Sequence, residues 1–159
     1  MNPRENSSFQ LTDKLGPACL QLGRLVRRRL EQALDAAGLG LTPAQARVLV
    51  MLHFHGPQTQ QALAGLTEVE PSTLVSTLDV LEREGLALRG PNPQDRRAYL
   101  VALTAKGARQ VPKLFALWDG IEPELGAAFT TREREALVGS LQRLIAHLSA
   151  SEGDPACCG

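Results

Sequence analysis

The chain has 159 residues with 17 basic and 17 acidic side chains, so its formal net charge is zero, which argues against a general charge-driven binder of polyanions. Hydrophobic residues make up 43% of it, enough for a core, but one Trp, one Tyr and four Phe leave the packing to aliphatic side chains. No apolar run reaches 18 residues and segment 1–13 resembles no signal peptide, so a cytoplasmic protein that does not enter a membrane is expected.

The spacing predicts a first helix from Gln10 to Ala37, because Leu15, Cys19, Leu22, Val26, Leu30, Ala33 and Ala37 recur at three- and four-residue steps. Residues 1–9 are expected to be disordered. Gly38-Leu39-Gly40 ends the helix, and Thr42-Pro43-Ala44-Gln45 reads as a capping box opening a second helix that stops near His55-Gly56-Pro57. Thr59 can cap a short third helix to Gly65 or Leu66, with Ala62, Leu63 and Leu66 inward. Pro71 opens a fourth helix with Leu74, Val75, Leu78, Leu81 and Val80 toward the core, and Gly85 closes it. Leu86–Arg89 and Tyr99–Leu103 read as paired strands around a loop that begins Gly90-Pro91-Asn92-Pro93. Thr104 caps a fifth helix carrying Val111, Leu114, Phe115 and Trp118, which Pro112 should kink or break. Thr130-Thr131-Arg132-Glu133 is another capping box, and the last helix is expected to bury Leu137, Leu141, Leu144, Ile145 and Leu148 before a flexible tail, 149–159.

This order, four helices, a hairpin and two more helices, defines a mainly α fold with a small β-hairpin wing. Residues 41–104 make a winged helix-turn-helix, a DNA-binding architecture, with 10–40 and 105–148 as flanking helices. Those flanking helices are too apolar for the small central core to cover, so a homodimer is expected. A two-fold dimer would set two recognition helices one DNA turn apart, ~34 Å. The charge is unevenly spread: residues 86–113 carry a net +5 and residues 58–84 a net −4. A basic hairpin beside an acidic helix pair is the main tension in this reading.

Three stretches resemble the MarR family of bacterial transcriptional regulators: Leu41 to Gln45, Pro71-Ser72-Thr73 with Leu81 to Leu86, and Asp95-Arg96-Arg97 running to Leu103-Thr104. The resemblance spans about Leu11 to Leu148. It implies a dimeric winged-helix protein, usually a repressor, that leaves double-stranded DNA at a pseudo-palindromic operator when a small molecule or oxidant acts on it. It further implies that Arg97 enters the minor groove, that Asp95 orients it, and that Arg96 contacts phosphate. Ser72, Thr73, Ser76 and Thr77 are expected on the outer face of the fourth helix, where hydroxyls and the helix N-terminus suit phosphate and base edges. The chain departs from relatives that carry arginines along this helix: it has Ser76 and Val80, with Asp79 between, so the wing and DNA shape should supply more of the affinity. The effector crevice implied by the family lies between the winged helix and the flanking helices, with helices 1, 2 and 5 as its candidate lining.

Two other readings stay open. Cys19 lies where the peroxide-sensing branch of the family keeps its reactive cysteine, yet Gly23 and Ala33 stand where that branch places activating tyrosines. Cys157 and Cys158 are adjacent in the tail. Alternatively, the acidic helix pair and missing arginines fit a helical ligand-binding or interaction dimer that has lost DNA binding. His53 and His55 point to different sides of a helix and make poor joint ligands, so no metal, cofactor or catalytic group is expected.

Overall fold

The computed structural model describes residues 14–67, 69–95 and 98–152, with side chains described as far as Ala150. The described chain forms two compact units divided after Ile121. The first contains α1 (Leu15–Ala36), α2 (Pro43–His55), β1 (Gln58–Thr59), α3 (Gln60–Thr67), α4 (Pro71–Arg83), β2 (Ala87–Pro91), β3 (Tyr99–Leu103), α5 (Ala105–Ala108) and most of α6 (Val111–Gly126). The second contains the end of α6 and α7 (Thr131–Glu152).

Local chemistry sets the helix boundaries. The Thr42 hydroxyl accepts from the Gln45 N–H at 3.3 Å, and the Gln45 side chain accepts from the Thr42 N–H at 2.8 Å, closing the box that starts α2. The Thr59 hydroxyl accepts from the Ala62 N–H at 3.1 Å and so starts α3. Pro71 is the first residue of α4, where a missing N–H is harmless. Past its C-terminus Gly85 takes φ +65°, a left-handed conformation that turns the chain from helix into strand.

The core of the first unit is aliphatic. Val48, Leu49 and Leu52 of α2 meet Leu63 of α3 and Leu74, Leu78 and Leu81 of α4, and the cluster extends to Leu86, Val101, Val111 and Leu114. Val75, expected inside, is 40% exposed, and Val80 is half-buried, because the buried stripe of α4 runs through 74, 77, 78 and 81. Ala62 and Leu66 are likewise not fully buried: both are half-buried.

The sheet holds one strand more than the hairpin. Its order is β1-β3-β2, both pairs antiparallel, with Arg89 opposite Val101 in the wing and Gln58 opposite Val101 on the other side. Two residues, Gln58 and Thr59, are too few to show a period in sequence. Downstream, the expected fifth helix is two. Thr104 caps α5 by accepting from the Gly107 N–H at 3.0 Å, and α6 begins at Val111 with Pro112 as its second residue. The helix therefore breaks before the proline rather than kinking at it.

The flanking helices leave much of their apolar faces uncovered among the described residues. On α1 only Leu34 is buried; Cys19, Val26 and Leu30 are half-buried, while Leu15, Leu22 and Ala37 of the predicted inward face are exposed. The small core covers one end of a 22-residue helix and no more. In the second unit, the Thr130 and Glu133 side chains form the predicted box, and hydrogen bonds from the Thr130 N–H and hydroxyl hold the Glu133 carboxyl below its usual range. Within α7, Leu141 and Leu144 are half-buried, but Leu137, Ile145 and Leu148 are exposed, the last two by 60% and 55%. The helix runs on to Glu152, past the start of the expected tail.

Candidate nucleic-acid interface

α4 is placed as a recognition helix, following α2 and α3 and leading directly into the hairpin. Ser72, Thr73 and Ser76 are all exposed on it. The Ser76 hydroxyl donates to the Thr73 carbonyl at 2.9 Å, so its remaining capacity toward DNA is that of an acceptor or a rearranged donor. Thr77 is a correction. It is only 7% exposed and lies three residues after Leu74 and four before Leu81, on the buried stripe. Its hydroxyl suggested a surface role that helical geometry denies it. Thr77→Val is accordingly expected to leave DNA affinity unchanged and to shift stability by about 1 kcal/mol, read by anisotropy titration and thermal melting.

The wing is β2, its loop and β3. In the loop the Asn92 side chain accepts from the Gln94 N–H at 3.0 Å, and the Asp95 carbonyl accepts from the Ala98 N–H at 3.1 Å. Asp95 is exposed, and so is Leu88 of the first wing strand, by 46%. Tyr99, just beyond the tip, is 67% exposed. Arg96 and Arg97 lie outside the described residues, as do Cys157, Cys158 and residues 1–13.

The contrast between the basic hairpin and the acidic helix resolves into a direct contact. The Arg89 guanidinium donates through Nη2 to Asp79 Oδ1 at 2.7 Å and through Nη1 to Glu82 Oε2 at 2.5 Å. These carboxylates, Asp79 first, raise the Arg89 pKa further above an already permanent charge. Both carboxylates within α4 are thereby matched with the first base of the wing. Sequence reading missed this triad. Its trace was present in two carboxylates one helical turn apart and an arginine just beyond the helix-ending glycine.

A cavity of about 740 Å³ opens between α1, α2, the start of α4 and α6. Val26, Leu30, Val50, Met51, Leu114 and Trp118 give it apolar walls, Arg27 and Arg47 add guanidinium groups, and Glu70 and Thr73 bring the recognition helix into its lining. Arg27 also pairs with Glu31 at 3.1 Å. Cys19 is a half-buried free thiol that does not line this cavity. His53 packs edge-on against Phe54 and Phe115, with ring centroids 5.5 and 6.1 Å away. Among the described residues no group of His, Cys, Asp or Glu is arranged to hold a metal, and no helix is long and apolar enough to cross a membrane.

A helix-turn-helix, a recognition helix bearing small polar residues and an antiparallel wing define a winged-helix DNA-binding protein. Comparison with known proteins narrows this. Residues 41–99 match the MarR family. An HTH-type transcriptional regulator of Bacillus subtilis, YwoH, is 30% identical over 116 residues, 73% of this chain and 82% of that protein. A putative transcriptional regulatory protein for the hcr operon of Thauera aromatica is 30% identical over 105 residues, 66% of this chain but only 63% of its own length. Among solved structures, wild-type MarR of Escherichia coli in its apo form superimposes with a TM-score of 0.74 at 29% identity, covering 82% of this chain and 96% of that one. The transcriptional repressor CouR bound to a 23-mer DNA duplex gives 0.77 at 28% identity, covering 86% and 96%. The chain belongs to the MarR family of transcriptional regulators. Regulators of this family bind DNA as dimers.

Proposed function

We propose that this chain acts in the cytoplasm as a homodimeric repressor that holds a pseudo-palindromic operator and leaves it when a small molecule fills the 740 Å³ cavity. The observation that carries the reading is the double role of the start of α4. Thr73 is exposed beside Ser72 on the reading helix and also lines the cavity, so one helix turn faces both DNA and ligand. A ligand touching that turn has a differential interaction with the DNA-competent and incompetent positions of α4, which is what a population shift requires. Ser72, Thr73 and Ser76 would meet the major groove, Arg97 the minor groove, Arg96 a phosphate, and Asp95 would orient Arg97.

Dimerisation is supported by the apolar side chains left uncovered on α1 and α7, among them Leu15, Leu20, Leu25, Ile145 and Leu148. Exposed leucines at this density are the usual mark of an interface. The cavity walls, apolar with two guanidinium groups, fit an aromatic or aliphatic molecule bearing a carboxylate or phenolate.

Trp118 is the chain's single tryptophan and it lines the cavity, so it is a built-in reporter. Titrating benzoate and phenol against the full chain is expected to change Trp118 fluorescence saturably, and the same ligand should lower anisotropy on DNA flanking the coding region. Fluorescence change with no effect on DNA would separate the cavity from regulation. Binding no tighter than to random duplex would defeat the operator reading.

A further inference from the structure

β2 is an outer strand of the sheet, and an outer strand leaves backbone N–H groups facing away from its ladder. Here one of them is taken by the recognition helix: the Arg89 N–H donates to Glu82 Oε1 at 3.2 Å. With the two guanidinium bonds, three hydrogen bonds run from a single wing residue to a single turn of α4. Asp79 and Glu82, three residues apart, share a helix face, so one planar fork reaches both. The Arg89 side chain is 25% exposed, against 59% for Asp79 and 43% for Glu82. The arginine is therefore the more covered partner, while the carboxylates it answers stay near the surface. An arginine whose guanidinium already donates to two carboxylates is poorly placed to reach a phosphate as well.

We propose that Arg89 is a positioning residue for DNA recognition that acts through Asp79 and Glu82, cancelling the carboxylates of α4 and tying the wing to that helix so that the two present to adjacent grooves as one piece. The inference rests on the chain's reading as an operator-binding protein. Without Arg89, α4 would carry Asp79 and Glu82 uncompensated toward a phosphate backbone, and the hairpin would be attached to it by the Gly85 turn and packing alone.

The test is a mutant cycle on the full chain, read by anisotropy with its flanking DNA. Arg89→Met is expected to weaken binding about tenfold or more in the wild-type background, but no more than about threefold when Asp79→Asn and Glu82→Gln are already present. Arg89→Lys, which keeps the charge and loses the fork, should fall between in the first background and have no effect in the second; it carries the cycle if Arg89→Met does not fold. Equal losses in both backgrounds would mean that Arg89 touches DNA directly, and no loss in the first would make the triad inert. Either result overturns the inference alone. Melting temperature and active fraction are measured in parallel. A smaller active fraction with unchanged affinity would mark support of the fold only, and would overturn it too. Absence of saturable binding by the wild-type chain would overturn both the inference and the operator reading.

Discussion

Replacing Arg96 and Arg97 together by alanine is expected to weaken DNA binding about 100-fold at 0.15 M salt and to flatten the log–log salt dependence by about 1 unit for each phosphate left without its arginine in the dimer complex. The expectation follows from where the remaining charge lies. The chain is neutral overall, so long-range attraction to DNA must come from a local excess, and residues 86–113 supply it. Within that segment Arg89 is committed to Asp79 and Glu82, and Lys106 donates to the Glu84 carbonyl at 2.6 Å, at the far end of the recognition helix. The tip arginines are the part of the excess that the family pattern directs toward the groove. A hydroxyl contributes far less: Ser72→Ala should cost no more than about fivefold, since a single neutral hydrogen bond is worth ~1 kcal/mol net. If the double arginine variant bound as the wild type does, both the wing's proposed role and the importance of the charge excess would fall. If it lost affinity with an unchanged salt slope, the arginines would be acting on hairpin shape rather than on phosphate.

What could be read from sequence depended on whether a signal was local. Capping at Thr42, Thr59, Thr104 and Thr130 uses hydroxyls and N–H groups within three residues, and all four appear in the structure. The Leu74, Leu78 and Leu81 stripe was legible because a helix repeats every 3.6 residues. Thr77 lies on that same stripe, and there position outweighs the polar residue type that suggests a surface site. β1 carries no period because it has two residues and exists through pairing with β3, some 40 positions away in sequence. The Arg89 triad is likewise a contact between a helix and a strand, visible in sequence only as opposite charges of local segments. The periodic apolar faces of α1 and α7 are present, but the described residues do not fully cover them, since a periodic face says that burial is needed and not what provides it. The cavity was foreseen only as a region. Its lining comes from five helices, and Trp118 and Thr73 are 45 residues apart.

Gly107→Ala should be among the most damaging of the conservative substitutions, destabilising the chain by about 3 kcal/mol or more in urea unfolding. A Cβ on Gly107 would fall directly onto the Leu86 carbonyl, and the two nearest atoms it meets are backbone, which cannot rotate away as a side chain could. Leu86 is fixed there from several directions. It follows Gly85, its carbonyl accepts from the Thr104 N–H at 3.1 Å, and its side chain is buried in the core. The Thr104 hydroxyl donates to the Gly85 carbonyl at 2.7 Å while accepting from Gly107 itself. The end of the recognition helix, the root of the wing and the start of α5 thus meet within a few residues, and the glycine is what lets them approach. Relief of the clash must move Leu86, and with it either the end of α4 or the first residues of β2. Loss of stability should therefore be accompanied by loss of DNA affinity in the fraction that still folds. Gly65→Ala provides the contrast. That glycine is helical, and an added Cβ there meets nothing within 4 Å, so the substitution should stabilise by up to about 1 kcal/mol through helix propensity. Equal effects at the two glycines would show that Leu86 can yield, and that the junction is looser than its hydrogen bonds imply.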